Sequence, residues 1–264
     1  MEWWLGYLAI GAVVGFFAGL LGIGGGAIMV PLLVMLLDAQ GLPKDHILHL
    51  AVGTALATMV FTSVSSARAH VVRGSIRWDI VARITPGILA GGLLGSAIAA
   101  FVSRGMFAAL FTGAVYVAAT NILLERKPSP SRQAPGWIGM SVAGLLISAI
   151  SAFAALGGAF LTIPFLMYCN VPILQAIGTA AAVGFPIAIA GTIGFIATGM
   201  AVSGLPGPHL GYIYFPALAG IMIASVSMAP LGAALAHRLP TKRLKQIFAV
   251  LLYALATRML ISIW

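Results

Sequence analysis

Long apolar runs separated by short polar stretches dominate the chain. The runs lie at about 5–38, 46–67, 79–102, 105–124, 137–169, 173–199, 211–236 and 242–263. Six of them have the length that one helix needs to cross about 30 Å of hydrocarbon. The pattern therefore predicts an all-α integral membrane protein.

Two runs, 5–38 and 137–169, are too long for a single crossing. A straight helix over the first would measure about 50 Å at about 1.5 Å per residue. Glycines interrupt both runs near the middle, as Gly24-Gly25-Gly26 and as Gly157-Gly158. We interpret each run as a helical hairpin, re-entrant or made of short spans, with the glycines at its tip.

A polar linker divides the chain into two halves of nearly equal length. The segment 125–136 contains three prolines and several charged residues, which is typical of an exposed connector. The predicted organisation is a first repeat at 1–124, a cytoplasmic linker at 125–136 and a second repeat at 137–264. Each repeat would contain one glycine-tipped hairpin followed by three transmembrane helices.

The two halves match each other at particular positions. Gly24-Gly25 followed by Pro31 matches Gly157-Gly158 followed by Pro164 at the same spacing, and Gly53-Thr54-Ala55 matches Gly178-Thr179-Ala180. At one further constant offset, Gly95, Phe111, Tyr116 and Thr120 match Gly232, Phe248, Tyr253 and Thr257. Apolar composition alone does not readily give matching Gly-Thr, Gly-Gly and Pro positions in the same order, so the matches indicate an internal duplication.

The basic residues predict that the repeats have opposite orientations in the membrane. The loop at 68–78, the central linker and the turn around 238–245 are rich in Lys and Arg, whereas the loop at 200–210 has neither. Basic loops remain on the cytoplasmic side. The basic loop of one half corresponds to the uncharged loop of the other, as an inverted repeat requires. Both termini would then lie outside, provided that each hairpin starts and ends on one side.

Composition narrows the class of protein further. Hydrophobic residues make up 61% of the chain and charged residues 7%, against about 25% charged in soluble domains. The net charge of +9 is spread between apolar runs, so it indicates membrane orientation rather than nucleic-acid binding. A single cysteine, Cys169, excludes an intrachain disulfide and is interpreted as a small buried residue.

The glycine tips are the first candidate binding site. Broken hairpins at matching points of inverted halves are typical of a substrate site near the bilayer midplane. A tip made of Gly24, Gly25 and Gly26, or of Gly157 and Gly158, leaves backbone N–H groups free, and the helix that follows adds the positive end of its dipole. Such a tip suits an anion. The alternative is that these glycines only permit close helix crossing.

Two Gly-Thr pairs and one arginine complete the candidate set. The hydroxyls of Gly53-Thr54 and Gly178-Thr179 could bind an oxyanion, or could bond back to their own helix. Thr58, Ser65 and Ser66 are weaker candidates of the same kind. Arg258 lies inside the last run, where it would either contact substrate or extend to the outer interface.

Several kinds of chemistry lack a sequence signal. The carboxylates of Glu2, Asp38, Asp45, Asp79 and Glu125 fall at or near predicted interfaces, which argues against an acidic proton relay or a cation site in a span. We find no nucleophile–base pair, metal-ligand spacing or phosphate loop. The chain is therefore expected not to be an enzyme and to use no cofactor or metal. A membrane enzyme acting on lipid would need a catalytic cluster.

The motifs resemble a known family. The stretch from Gly15 to Gly26, GFFAGLLGIGGG, followed by Pro31, is similar to the first signature of the sulfite exporter TauE/SafE family, also called the toluene sulfonate uptake permease family. The second-half Gly157-Gly158, Pro164 and Gly178-Thr179-Ala180 resemble its other marks. One departure is Ala159, which stands where the first half has Gly26.

The resemblance implies a multi-pass secondary transporter of the bacterial inner membrane. Its substrate would be a small organosulfur or related anion such as sulfite, a sulfonate or sulfoacetate, bound near the midplane between the repeats. The alternative is a channel for anions or small solutes. A coupling ion, either a proton or sodium, and a homodimer are left open, as are the substrate's identity and the direction of transport.

Overall fold

A computed structural model describes residues 2–21, 25–124, 133–205, 207–236 and 241–263. These residues form ten helices and one pair of two-residue strands. In chain order the elements are α1 (Glu2–Leu21), α2 (Gly26–Ala39), α3 (Ile47–Val72), α4 (Trp78–Phe101), α5 (Arg104–Leu124), α6 (Trp137–Ala154), α7 (Ala159–Tyr168), α8 (Ile173–Gly199), β1 (His209–Leu210), β2 (Ile213–Tyr214), α9 (Phe215–Ala236) and α10 (Thr241–Ile263).

The all-α membrane architecture predicted from the sequence is confirmed. Five helices of the described chain, α3, α4, α5, α6 and α8, are long and apolar enough to cross a membrane, and shorter apolar helices accompany them. The antiparallel pair of β1 and β2 was not predicted, because two-residue strands leave no periodic pattern in a sequence. No grouping of three or more His, Cys, Asp or Glu suited to a metal ion occurs among the described residues.

Both overlong runs are broken into helix pairs near the glycines. The run at 5–38 gives α1 and α2, and the run at 137–169 gives α6 and α7. The second break is sharp because Ala155 has φ 46° and Gly157 has φ 55°, which is the left-handed region that glycine adopts at no steric cost. A proline lies inside each returning helix, Pro31 in α2 and Pro164 in α7.

The helices pack mainly across the two halves of the chain. Helix α1 packs along α9 and α4 packs along α6, while α3 packs on α8 and α5 on α10. The first two crossings are equivalent in detail. A Cβ at Gly11 would lie 2.6 Å from the carbonyl oxygen of Ile221, and a Cβ at the matching Gly144 would collide with that of Ile84. Each contact requires a glycine because a backbone carbonyl occupies the place of a side chain.

A second reciprocal contact joins α5 to α10. The hydroxyl of Tyr116 hydrogen-bonds that of Thr257, and the hydroxyl of Thr120 hydrogen-bonds that of Tyr253. The two tyrosine rings lie 5.1 Å apart between centroids. In the duplication Tyr116 corresponds to Tyr253 and Thr120 corresponds to Thr257. The two hydrogen bonds are therefore equivalent, since each joins the tyrosine of one half to the threonine of the other.

Candidate functional site

A cavity of about 360 Å³ lies between the two halves of the helical bundle. Helices α1, α3, α8 and α9 form its walls, and the breaks of both hairpins reach it. Its lining residues are Val14, Gly15, Ala18, Gly25, Met29, Met59, Thr62, Ser63, Ser65, Ser66, His70, Arg73, Gly157, Ala159, Ala180, Ala181, Gly184, Ser225, Val226 and Ala229.

The two hairpin tips meet at the cavity. Gly25 is the N-cap of α2, and Gly158 is the N-cap of α7. Both helices therefore begin at the cavity, where their first N–H groups have no partner within the helix and their dipoles are positive. The tips also touch each other, because a Cβ at Gly26 would collide with the carbonyl oxygen of Ala155. Gly24 lies outside the described residues.

One face of α3 supplies most of the polar lining. Thr62, Ser66, His70 and Arg73 recur at intervals of three or four residues, which keeps them on one side of the helix, and Ser63 and Ser65 flank this row. The hydroxyls of Thr62 and Ser63 donate to the carbonyl oxygens of Met59 and Val60, so Ser66, whose hydroxyl has no such bond within the described structure, is the clearest hydroxyl donor of this face. Arg73 is exposed at the end of α3 and brings a permanent positive charge to this end of the cavity.

A short turn fixes the imidazole of His70 beside the cavity. The hydroxyl of Ser75 donates a hydrogen bond to the carbonyl oxygen of His70 (3.2 Å) and lies 3.1 Å from its Nδ1. Among the described lining residues the ionisable side chains are those of His70 and Arg73, and none is a carboxylate. The electrostatics of the cavity therefore favour an anion over a cation.

The bundle is packed shut on the side away from Arg73. Every residue of α3 from 47 to 59 is buried. The ring of His49 stacks on that of Tyr212 with centroids 4.9 Å apart and meets Phe107 edge-on at 4.8 Å. The structure thus combines a cavity on one side with an aromatic seal on the other.

The predicted Gly-Thr pairs lie away from the cavity and hold loops of the opposite half. The hydroxyl of Thr54 accepts a hydrogen bond from the backbone N–H of Tyr214, and that of Thr179 accepts one from Arg77, each at 3.0 Å. A Cβ at Gly53 would lie 2.6 Å from the Tyr212 carbonyl oxygen, and one at Gly178 would lie 2.5 Å from that of Ser75.

These paired contacts give the threonines a packing role in the described structure. Each Gly-Thr pair lets a helix approach the loop that precedes α4 or α9 and satisfies one backbone donor there. Thr58 instead donates to the carbonyl oxygen of Thr54 at 2.9 Å. Arg258 is exposed on α10 and is not among the residues that line the cavity. The structure therefore brings together the glycine tips but not the Gly-Thr pairs or Arg258.

Replacing Thr54 or Thr179 with valine is expected to lower stability without weakening anion binding. Valine keeps the shape of the side chain but leaves the N–H of Tyr214 or Arg77 without its acceptor, which costs about 1–3 kcal/mol. Thermal unfolding of the purified variants would show a lower midpoint, whereas Thr54→Ser retains the hydroxyl and should unfold near the wild-type temperature. Equal midpoints for Thr54→Val and Thr54→Ser would contradict this role.

Comparison with known proteins identifies the family. Residues 7–259 match the sulfite exporter TauE/SafE family, so the match includes both hairpins and the whole cavity. The chain belongs to this family. A relative from Haemophilus influenzae named a probable membrane transporter protein is 36% identical over 259 residues, covering 97% of each chain.

More distant relatives of this TauE/SafE protein carry the same description. A probable membrane transporter protein of Bacillus subtilis is 25% identical and covers 88% of this chain and 90% of its own. One from Methanocaldococcus jannaschii is 25% identical, with 96% and 94% covered. No solved structure gives a significant match. The chain is therefore a membrane transporter of the TauE/SafE family.

Proposed function

We propose that this protein is a secondary transporter of small organosulfur or related oxyanions, such as sulfite, sulfonates or sulfoacetate. The observation that carries the proposal is the cavity between the halves, which combines the starts of α2 and α7, a wall of hydroxyls and Arg73. Its described lining residues include no carboxylate. Sulfonate and sulfite oxygens accept hydrogen bonds from amide N–H groups and from hydroxyls such as those of Ser65 and Ser66. Substrate would lie against Gly25 and Gly157, near the midplane.

The reciprocal contacts support two repeats of inverted topology. A two-fold relation between the halves would produce pairs of equivalent contacts. Such pairs are the crossings of Gly11 on Ile221 and of Gly144 on Ile84, and the loop contacts of Thr54 and Thr179. With the basic loop at 73–77 on the cytoplasmic side, the cavity faces the cytoplasm of a bacterial inner membrane. The aromatic seal of His49 and Tyr212 then faces outward and favours a carrier over an open channel.

Anion binding and carrier behaviour test this proposal. Purified protein should melt at a higher temperature in the presence of sulfite or sulfoacetate, because a ligand that binds only the folded state stabilises it. In proteoliposomes, uptake of labelled anion should saturate with concentration, and unlabelled anion loaded inside should accelerate it. Uptake that rises linearly with concentration and ignores internal anion would indicate a channel instead.

A leucine at Gly25 is expected to weaken anion binding about tenfold, because its side chain would fill part of the cavity. It would also displace Val14, since the Cγ1 of Val14 lies against the position of a Cβ at Gly25. The thermal shift caused by sulfoacetate would report this loss. Gly136→Leu is a suitable control, because nothing lies within 4 Å of a Cβ at Gly136. If the Gly25→Leu variant folds and binds the anion normally, the tip is not part of the binding site.

A further inference from the structure

Three buried hydroxyl groups beside the second hairpin tip have no hydrogen-bond partner. Ser148, Ser151 and Thr162 are 0%, 1% and 0% exposed, and none of their oxygens has a partner within the described structure. Thr58 and Ser96, by contrast, donate to a carbonyl oxygen of the preceding turn, whereas the hydroxyls of Thr112 on α5 and Thr192 on α8 are unpaired like these three. Leaving a buried hydroxyl unpaired is unfavourable, so the three require an explanation.

The three hydroxyls lie around the break between α6 and α7. Ser151 is in the last turn of α6, and Thr162 is in the first turn of α7. The Oγ1 of Thr162 lies 3.7 Å from the position of a Cβ at Gly158, and the Oγ of Ser148 lies 3.0 Å from that of a Cβ at Gly92 on α4. Ser151 and Thr162 therefore flank the tip that borders the cavity, and Ser148 lies one turn further back on α6, beside α4. None of the three is among the residues that line the cavity.

The internal repeat relates these hydroxyls to the cavity. By the spacing that aligns Gly24-Gly25 with Gly157-Gly158, the positions of Gly15, Ala18 and Met29 correspond to those of Ser148, Ser151 and Thr162. All three first-half positions line the cavity. The second half therefore presents polar side chains at the points where the first half forms an open wall.

The space that would correspond to the cavity is filled in the second half. Thr62 lines the cavity, and its counterpart by the Gly53 to Gly178 spacing is Ile187. The Cδ1 of Ile187 lies against the position of a Cβ at Gly158 and belongs to an apolar cluster with Ile88 and Ile147. The three hydroxyls thus face a closed, apolar region instead of solvent.

We propose that Ser148, Ser151 and Thr162 form a second binding site for the oxyanion, related to the cavity by the internal repeat and exposed in the opposite-facing conformation. This inference rests on the proposed transport function and assigns the residues that hold the substrate when the protein is open to the opposite side of the membrane. When the halves exchange conformations, Ile187 withdraws and the three hydroxyls, with the first amides of α7, donate to the substrate oxygens.

The side from which each position can be reached tests the proposal. In a Cys169→Ser background, Ser151→Cys and its counterpart Ala18→Cys are treated with a membrane-impermeant methanethiosulfonate, applied either to intact cells or to inside-out vesicles. We expect each cysteine to react from one face only, with the two variants reacting from opposite faces. Ala118→Cys on α5, which is buried in the core and lies in neither site, should react from neither face.

Two labelling results would overturn the proposal. One is reaction of Ser151→Cys from the face that labels Ala18→Cys, and the other is no reaction from either face in a variant that still transports. Thr162→Cys replaces Ser151→Cys if the latter does not fold. If the protein takes up sulfoacetate but the two cysteines do not react from opposite faces, this site is rejected and the proposed function stands. If they react from opposite faces but the protein takes up none of the tested anions, the proposed function is rejected and the alternating exposure stands.

Stability separates a binding role from a packing role. Ser151→Ala and Thr162→Val remove a hydroxyl without a partner, so the melting temperature should stay equal to that of the wild type or rise. Sulfoacetate uptake should fall about tenfold, because each variant loses a hydrogen bond to a charged ligand. Uptake at the wild-type rate, or a melting temperature that falls together with uptake, would contradict the assignment.

Discussion

Replacing Gly26 with alanine is expected to reduce anion transport at least about 100-fold. The added Cβ would collide with the carbonyl oxygen of Ala155, at the point where the two hairpin tips touch. Ala155 cannot move freely, because it is held with φ 46° in the tight turn that ends α6. Relieving the clash requires the tips to separate, and displacements of about 1 Å can cost about 100-fold where geometry is critical. Uptake of labelled sulfoacetate into proteoliposomes would measure the loss.

The matched control for this substitution is Gly113→Ala on α5. A Cβ at Gly113 has nothing within 4 Å, and alanine is favoured over glycine inside a helix by about 1 kcal/mol. This variant should therefore transport normally and melt at the same temperature or higher. If Gly26→Ala transported as well as Gly113→Ala, the contact between the tips would not be needed for function.

Removing the charge of Arg73 is expected to slow anion uptake about tenfold at low ionic strength. Arg73 is exposed at the end of α3 and borders a cavity whose described lining includes no carboxylate. Charges placed in this way raise the local concentration of a counter-ion and accelerate its entry by about 10- to 1,000-fold. The initial rate of uptake should fall in Arg73→Gln, and the difference from wild type should shrink as salt is added, because salt screens exposed charges.

Arg68→Gln provides the comparison for Arg73→Gln. Arg68 lies on the same helix and is also exposed, but it borders a separate groove formed by residues of α3, α4 and α8 rather than the cavity. Both variants lose one positive charge from the same end of the protein. Equal slowing in the two would mean that net charge, rather than the position of Arg73 at the cavity, governs uptake.

The glycine tips were predictable because two independent constraints required them. Each apolar run is longer than one crossing and has to be broken, and the basic loops fit one orientation only if each run starts and ends on the same side. Glycine breaks a helix readily, so the breaks are expected at Gly24-Gly25-Gly26 and Gly157-Gly158. The packing of the Gly-Thr pairs was not predictable, since a hydroxyl that accepts a loop N–H and one that binds a substrate have the same sequence signature. Only coordinates show that Thr54 faces Tyr214 and Thr179 faces Arg77.

The polar face of α3 could have been found from the sequence. Thr62, Ser66, His70 and Arg73 follow a helical period in the second half of a membrane span. Ser65 and Ser66 are only weaker candidates on sequence alone, because a hydroxyl in a helix also bonds back to its own backbone, and a lone histidine such as His70 at the end of a span is more often an interface residue. The closed side of the bundle left no such signal, because its seal depends on His49, Phe107 and Tyr212, which lie far apart in the sequence.

The crossed packing of the helices has a consequence for how the protein is made. Helix α1 rests its glycine face on α9, whose first residue is Phe215, so α1 leaves the ribosome long before its main partner has been translated. At about 5–20 residues per second, this wait lasts on the order of 10–40 s. During that time the Gly11 surface can be shielded only by lipid or by the insertion machinery. Biogenesis of the nascent chain is therefore expected to depend on a helper that holds early helices until late ones arrive.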